Sequence, residues 1–464
     1  MNLEQLRKQA KELARAARSG DEEGLARIRR HAPERARVLL ADAQLALARE
    51  RGYRGWPALV AAAEASTGAF VLAATSGRRE RAARMLAARP ELERDRWAAL
   101  VLGRGWDGDA SEVGGPREWA PLHYVCHSCF ANVELARELL RRGADPNAYF
   151  ANEYGPMSTL YGAAGVIHDP ELTRVLLETG ADPNAEPQFG DALYHSVEAE
   201  ATDCLRLLLE HGARVRGTNA LGHALDYPRF EHVRLLLEAD GDANEGALLV
   251  HAVRRGRGPE CIRLLVEHGA ELDRRGGEGS TPPERYKTAY QNAMVRGRAD
   301  LAGVLAELGA STDLEPEELA VGAVVRGERP SMPLPAELGP DAQEALVLAA
   351  LDGRLDAVVA LVGPNFFGHA GGGPPGTLLH HAAWAGNADV VGALIALGGD
   401  PVAPSGAPFD TPLAWAFLGS SGWQEEGRDY VGVAEQLVAA GGELEPRFVE
   451  VAEGPLAAWL EAHD

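Results

Sequence analysis

The sequence predicts an all-α solenoid of stacked helix-turn-helix units, and three observations lead to it. The first is a stretch at 120–147, APLHYVCHSCFANVELARELLRRGADPN, which carries two apolar stripes at helical spacing. Leu122, Val125 and Cys126 form one stripe; Leu135, Ala136, Leu139 and Leu140 form the second, after a break near 129–132. The second is repetition, because the same pattern returns at 158–184, 191–214 and 247–273. The third is composition. Aromatic residues make up only 6% of the chain while Ala, Leu and Gly abound, which suits short helices packed on their neighbours without a central core.

Taken in order, residues 1–66 differ from the repeats. Leu3, Leu6, Leu13, Leu25, Ile28, Leu39, Ala43, Leu47, Trp56 and Leu59 mark short amphipathic helices, expected to form a helical cap over an otherwise exposed repeat face. Residues 67–119 read as degenerate repeats: a helix pair at 70–92 with Ala73, Ala74, Met85 and Leu86 inward, then a helix at 97–103 cut short by the loop WDGDASEVGGPREW. Well-formed repeats occupy 120–313, and weaker repeats with a C-terminal cap occupy 314–464.

Within a unit, Pro121 suits a first helical turn, where an N–H would find no partner. The slot after the second helix holds Gly143, Gly180, Gly212, Asp240, Gly269, Gly309, Gly398 and Gly441, where a residue free to take positive φ ends the helix. Uneven spacing between these residues implies loop insertions, the longest at 147–158, 274–287, 363–376 and 418–430.

The wording is close to a known pattern. APLH at 120–123 and GADPN at 143–147 and 180–184, on a period of about 33 residues, resemble ankyrin repeats, and the segment before them resembles the helical leader of some bacterial arrays. The resemblance implies an ankyrin-repeat solenoid and a non-catalytic scaffold that binds a protein or peptide through its concave face and loop edge. Aromatics in the loops, Tyr149, Phe150, Tyr154, Phe189, Phe366, Phe367, Phe409 and Trp423, are candidate anchors.

Charge narrows the partner. A net charge of −22 argues against nucleic acid, whose phosphates need clustered cations, and favours a neutral or basic protein or peptide. No apolar run approaches the roughly 18 residues that a membrane helix needs, and the N-terminus lacks a signal-peptide core, so a cytoplasmic protein with no membrane partner is expected. Four cysteines fit that compartment, and a skew to Arg that leaves only Lys8, Lys11 and Lys287 as lysines looks like a bacterial coding bias. Oligomeric state stays open.

Aligned on their paired small residues, the repeats place Tyr124, Gly162, His195, His223, His251, Asn292, His381 and Trp415 in one slot, expected on the concave side. Glu198, Asp226 and Arg254 follow three residues after their histidines. The expected binding residues are Tyr124, His127, Tyr161, His195, Glu198, His223, Asp226, His251 and Arg254. Neighbouring helices stand about 8–10 Å apart, so three histidines from three repeats cannot meet one zinc ion, although two neighbours with Glu198 or Asp226 can converge.

An alternative is an enzyme or small-molecule site around His195, Glu198, His223 and Asp226, with loops 104–119, 147–158 and 363–376 closing over it. Trp106, Asp107, Asp109 and Trp119 make 104–119 the best-placed lid. No catalytic residues, metal or cofactor are expected. Cys126 and Cys129 with His123 and His127 spell H-x-x-C-H-x-C, but Cys126 falls in a small buried slot and His123 in the structural slot of the repeat. Cys204 and Cys261 fall in core slots, and GHAGGGPPG at 368–376 lacks the Lys-Ser/Thr of a phosphate loop.

Overall fold

The computed structural model describes residues 3–31, 38–56, 58–60, 66–130, 132–152, 155–185, 192–276, 286–370, 374–406, 409–422, 428–445, 448, 455–456 and 459–460. The fold is all-α, built of short helices that follow one another in pairs, and it is divided into two compact units, Met1–Asp242 and Ala243–Asp464.

The first unit begins with α1 (Leu3–Arg18), α2 (Glu22–His31) and α3 (Leu40–Glu50). Leu6, Ala10, Leu13, Ala14 and Ala17 recur every three or four residues and bury one face of α1, the last four of them against Ala43, Ala46 and Leu47 of α3. The helix pairs follow: α4 (Thr67–Ala74) and α5 (Arg79–Ala88), α6 (Arg96–Val101), then α7 (Pro121–His127) and α8 (Val133–Arg141). A wide helical segment, Tyr161–Val166, pairs with α9 (Pro170–Glu178), α10 (Ala192–Ser196) with α11 (Asp203–Glu210), and α12 (Ala220–Ala224) with α13 (Phe230–Ala239).

Two local devices set this register. Asn132 and Asp169 cap α8 and α9, each Oδ1 accepting two backbone N–H groups of the first turn. The Asn of GADPN then ties one unit to the next. Asn147 Nδ2 donates to Gly180 O at 2.8 Å while its Oδ1 accepts Asp182 N at 2.7 Å, and Asn184 repeats the clip on Gly212 O and Arg214 N. Gly180 can offer that carbonyl at a closed helix end because its φ is +97°. Asp240, in the same slot, stays extended at φ −160°, and its carboxylate accepts Val215 N instead.

The second unit holds α14 (Leu248–Arg254), α15 (Pro259–Glu267), α16 (Ala289–Val295), α17 (Ala299–Glu307), α18 (Pro316–Val325), α19 (Pro340–Ala349) and α20 (Leu355–Val362), then α21 (Leu378–Trp384), α22 (Ala388–Ala396), α23 (Pro412–Gly422) and α24 (Tyr430–Ala439). Its apolar core runs from Leu346 and Val358 through Leu379, Val391 and Leu394 to Phe417, which stacks on Phe448.

Two insertions expected as plain loops contain short antiparallel ribbons. β1 (Tyr149–Asn152) pairs with β2 (Gly155–Ser158), setting Phe150 opposite Met157, and β3 (Phe367–Gly368) pairs with β4 (Gly376–Thr377). Tyr149 and Phe367 are exposed, whereas Phe366 and Phe409 pack against the core of the second unit. Tyr154, Phe189 and Trp423 lie outside the described residues.

Candidate binding face of the first unit

A continuous run of rings lines the first helices of this unit. It starts at Trp106, 4.7 Å from Trp97, and passes by Tyr124 to Trp119. From Trp119 it continues through His127, Tyr161, His195, Tyr194 and His223 to Tyr227, with successive centroids 4.1–5.8 Å apart. The sequence places an aromatic or imidazole ring near the same slot in each unit, and stacking of the units aligns them. The run has a covered end and an open end.

The covered end lies beneath the loop 104–119. Arg117 donates to Thr75 Oγ1 at 2.6 Å and to Leu72 O at 3.3 Å, Arg142 donates to Trp106 O at 2.6 Å, and Arg96 pairs with Glu112 at 2.8 Å, so the loop is tied down on several sides. Tyr124 is fully buried; its hydroxyl donates to Gly114 O at 2.7 Å and accepts Arg117 N at 2.9 Å. His127 is buried under Trp119, with Nδ1 at 2.9 Å from His123 O. The expectation that Tyr124 and His127 stand open to a partner is therefore corrected. Trp119, stacked 4.2 Å from Phe150 of β1, fills the space above them.

Burial pushes the His123 imidazole down to about 4 and His127 to about 3, so both are neutral at pH 7. Among the described residues neither ring nitrogen of His123 nor Nε2 of His127 makes a hydrogen bond of good geometry, although the Met157 and Ala148 backbones lie near enough to His123 to favour its charged form slightly. Gly162 makes room for this packing, since a Cβ there would stand 2.4 Å from His127 Nδ1. The helix around Gly162 widens, with Ile167 N reaching back to Gly162 O.

At the open end, Tyr161, Tyr194, His195, Glu198, His223, Asp226 and Tyr227 are all half-buried. His195 Nδ1–H donates to Glu198 Oε1 at 2.8 Å, and His223 Nε2–H donates to the same oxygen at 3.1 Å. His223 Nδ1–H donates to Asp226 Oδ2, also at 3.1 Å. A carboxylate only accepts, so one on each nitrogen of His223 favours its doubly protonated form. The ring is clamped between Glu198 and Asp226. Burial opposes that charge, but the two bonds outweigh it and raise the His223 pKa. Burial likewise works against the Glu198 anion, yet the bonds from His195 and His223 hold its carboxyl down to about 2. Tyr194 lies flat on the His223 ring, 4.1 Å away at an interplanar angle of 2°. Arg229 sits over Tyr227 and donates to Val197 O.

The structure thus brings together Tyr161, His195, Glu198, His223 and Asp226. Tyr124 and His127 continue the same run of rings but are covered, while His251 and Arg254 belong to the second unit. There Arg254 pairs with Glu344 at 3.0 Å and lies 3.8 Å from Asp341, as part of a buried ionic cluster that sequence reasoning missed. Lys287 bonds to Glu317 and Glu318, and Arg296 to Glu344. Burial disfavours the Lys287 ammonium, but the two glutamates outweigh it and raise its pKa. Its one signal was Lys287 itself, a lysine isolated in an Arg-biased chain.

Among the described residues no group of three or more His, Cys, Asp or Glu is arranged to hold a metal ion, and no helix is long and apolar enough to cross a membrane. Burial raises the thiols of Cys126, Cys129, Cys204 and Cys261, those of Cys204 and Cys261 to about 11.

Comparison with known proteins bears on the same region. A model of ankyrin repeats in three copies matches residues 160–246, and a single ankyrin repeat matches 117–149. The chain carries ankyrin repeats. Over 90 residues it is 37% identical to "Ankyrin repeat and SOCS box protein 16" of Homo sapiens, covering 18% of this chain and 20% of that protein. Over 96 residues it is 34% identical to "Ankyrin repeat and SOCS box protein 11" of Danio rerio, covering 21% and 24%. It thus spans less than a quarter of either relative. Among solved structures it is similar to the ankyrin repeat domain of human ASB11, at 22% identity and a TM-score of 0.36, covering 53% of this chain and 99% of that one. An ankyrin repeat domain from Acinetobacter baumannii aligns at 23% identity and a TM-score of 0.34, covering 41% and 98%.

Proposed function

We propose that the protein is a scaffold that binds a protein or peptide, and that the open end of the ring run in the first unit is its contact centre. One observation carries this reading. Five rings and two carboxylates stand half-exposed in one strip, the two histidines oriented by hydrogen bonds to the carboxylates and the three tyrosines packed against the histidine rings. Tyrosines locked in place offer large contact area at little entropic cost, and such aromatics dominate binding energy at protein interfaces. Residues 105–242 carry 23 Asp+Glu against 10 Lys+Arg, which supports a neutral or basic partner for this strip. Tyr149, exposed at the first position of β1, adds an aromatic anchor on the loop edge.

The test is a random-peptide display selection on the full chain, followed by affinity measurements on the enriched peptides. Binding should fall at least about tenfold in a Tyr194→Ala, Glu198→Ala double variant, because each removed group is expected to act as an anchor. A selection that enriches nothing, or enriched peptides that bind the variant equally well, would overturn this reading.

A further inference from the structure

The net charge of −22 conceals a segregation along the chain. Residues 1–104 carry 21 Lys+Arg against 13 Asp+Glu, whereas 105–464 carry 25 against 55. The positive end has a focus. On α1, Arg7, Lys8, Lys11, Arg15 and Arg18 are all exposed, and a helical repeat of 3.6 residues sets them within an arc of about 100°. Two of the three lysines in the chain are among them. Arg7, Lys8, Lys11 and Arg15 make no hydrogen bond or ion pair among the described residues, while Arg18 donates to Val38 O at 3.0 Å. Glu12 stands at the edge of the stripe.

The stripe limits what can occupy it. The apolar face of α1 is already spent against α3, so the helix has no free apolar side to insert into a bilayer. Its outward face carries no aromatic ring on which a base could stack. From Arg7 to Arg18 the stripe is only about 16 Å long. A long polyanion would run past it, and the 105–242 portion of the same unit, with 23 acidic residues against 10 basic ones, repels such a chain. A short acidic segment meets the cations without that cost.

We propose that the outward face of α1 docks a short acidic segment of a partner protein, a run of Asp or Glu side chains. This surface shares no residue with the strip around His223, and neither reading depends on the other. Together they make the first unit a two-faced adaptor, with one face for an acidic partner and one for a neutral or basic one.

The experiment uses the full chain and a fluorescein-labelled poly-glutamate peptide as probe, read by anisotropy at low salt and at about 0.2 M salt, where screening weakens exposed pairs. The wild type should bind the peptide at low salt and lose affinity as salt rises. A variant with Arg7→Glu, Lys8→Glu, Lys11→Glu and Arg15→Glu should bind at least about tenfold more weakly, the summed effect of four exposed charges. The corresponding Gln variant, which keeps helix-forming side chains, should fall between them with an unchanged helical circular dichroism signal. The proposal fails if the wild type does not bind the peptide or if the Gln variant binds it as well as the wild type. It fails equally if a single-stranded oligonucleotide or a phosphatidylglycerol vesicle binds more tightly than the peptide.

Discussion

The two ends of the ring run solve the same problem in opposite ways. At the covered end, His123 and His127 sit beneath Trp119 with no carboxylate hydrogen-bonded to their ring nitrogens among the described residues, and they stay neutral. At the open end, His195 and His223 meet Glu198 and Asp226, and the charged form of His223 is favoured. The carboxylates make the difference. At the open end burial still opposes charge but the bonds to Glu198 and Asp226 outweigh it, whereas a fully buried imidazole without such a bond does better uncharged. The loop 104–119 therefore decides which part of the ladder is structure and which part is surface.

Removing the cover should have the largest effect. Trp119 stacks on Phe150 and shields both histidines, so Trp119→Ala is expected to cost roughly 3–5 kcal/mol, the range for a large buried aromatic. Chemical denaturation would measure it. A loss under about 1 kcal/mol would mean that the loop is not part of the folded core.

Acid should attack the same end next. Protonation charges an imidazole, and the folded values of about 4 and 3 lie below the ordinary 6.5. Between these limits the unfolded state binds more protons, so the contribution to stability is complete above pH 6.5 and is lost as pH falls towards the folded values. About 3 kcal/mol for each histidine should be gone near pH 4. Denaturation midpoints at pH 7 and pH 4.5 would show it. If His123→Phe and His127→Phe left the acid sensitivity intact, its source would lie elsewhere.

At the open end the effect is smaller and its sign is reversed. The raised His223 pKa contributes stability that is present below pH 6.5 and is lost as pH rises through the folded value. Glu198→Gln removes the carboxylate shared by both histidines. Because Glu198 is about one-third exposed, the cost should be only about 1 kcal/mol. The clearer readout is nuclear magnetic resonance titration, in which His223 should move towards the ordinary histidine value. An unmoved His223 would show that Asp226 alone holds its proton.

Much of this was legible in the sequence because it is local. GADPN and the helix-ending glycines set the register, and the three-residue spacing of His195 to Glu198 and of His223 to Asp226 puts each pair on one helical face. That His195 and His223 both reach Glu198 also follows from stacking of neighbouring units. What the spacing could not show is cover. Tyr124 occupies the same slot as His195, yet its burial depends on Gly114, Trp97 and Trp119, which a loop of irregular backbone brings over it. The ionic cluster around Lys287 was hidden for the same reason: Lys287 just before α16 meets Glu317 and Glu318 of α18 and Asp341 of α19, all distant in sequence. The basic stripe was legible but averaged away, since a net charge says nothing about how charge is distributed.

The smallest effect sharpens the comparison from the other unit. His380, at the same repeat position as His123, has both ring nitrogens engaged: Nδ1 accepts Thr377 N at 3.1 Å and lies 2.8 Å from Thr377 Oγ1, and Nε2 donates to Asp410 O at 2.9 Å. The motif is TLLH there and APLH at 120–123. Ala120 has no hydroxyl to offer, and it precedes the first turn of α7 with no side-chain cap. Ala120→Thr would supply a cap for α7 and a partner for His123 in one substitution, and position 120 is half-buried, which leaves room for the larger side chain. It is expected to stabilise the first unit by about 1 kcal/mol, seen as a higher denaturation midpoint with an unchanged slope. A neutral or destabilising result would mean that the ring of His123 is held by Trp119 and Phe150 in an orientation that a hydroxyl at position 120 cannot reach, so that packing rather than hydrogen bonding fixes the covered end.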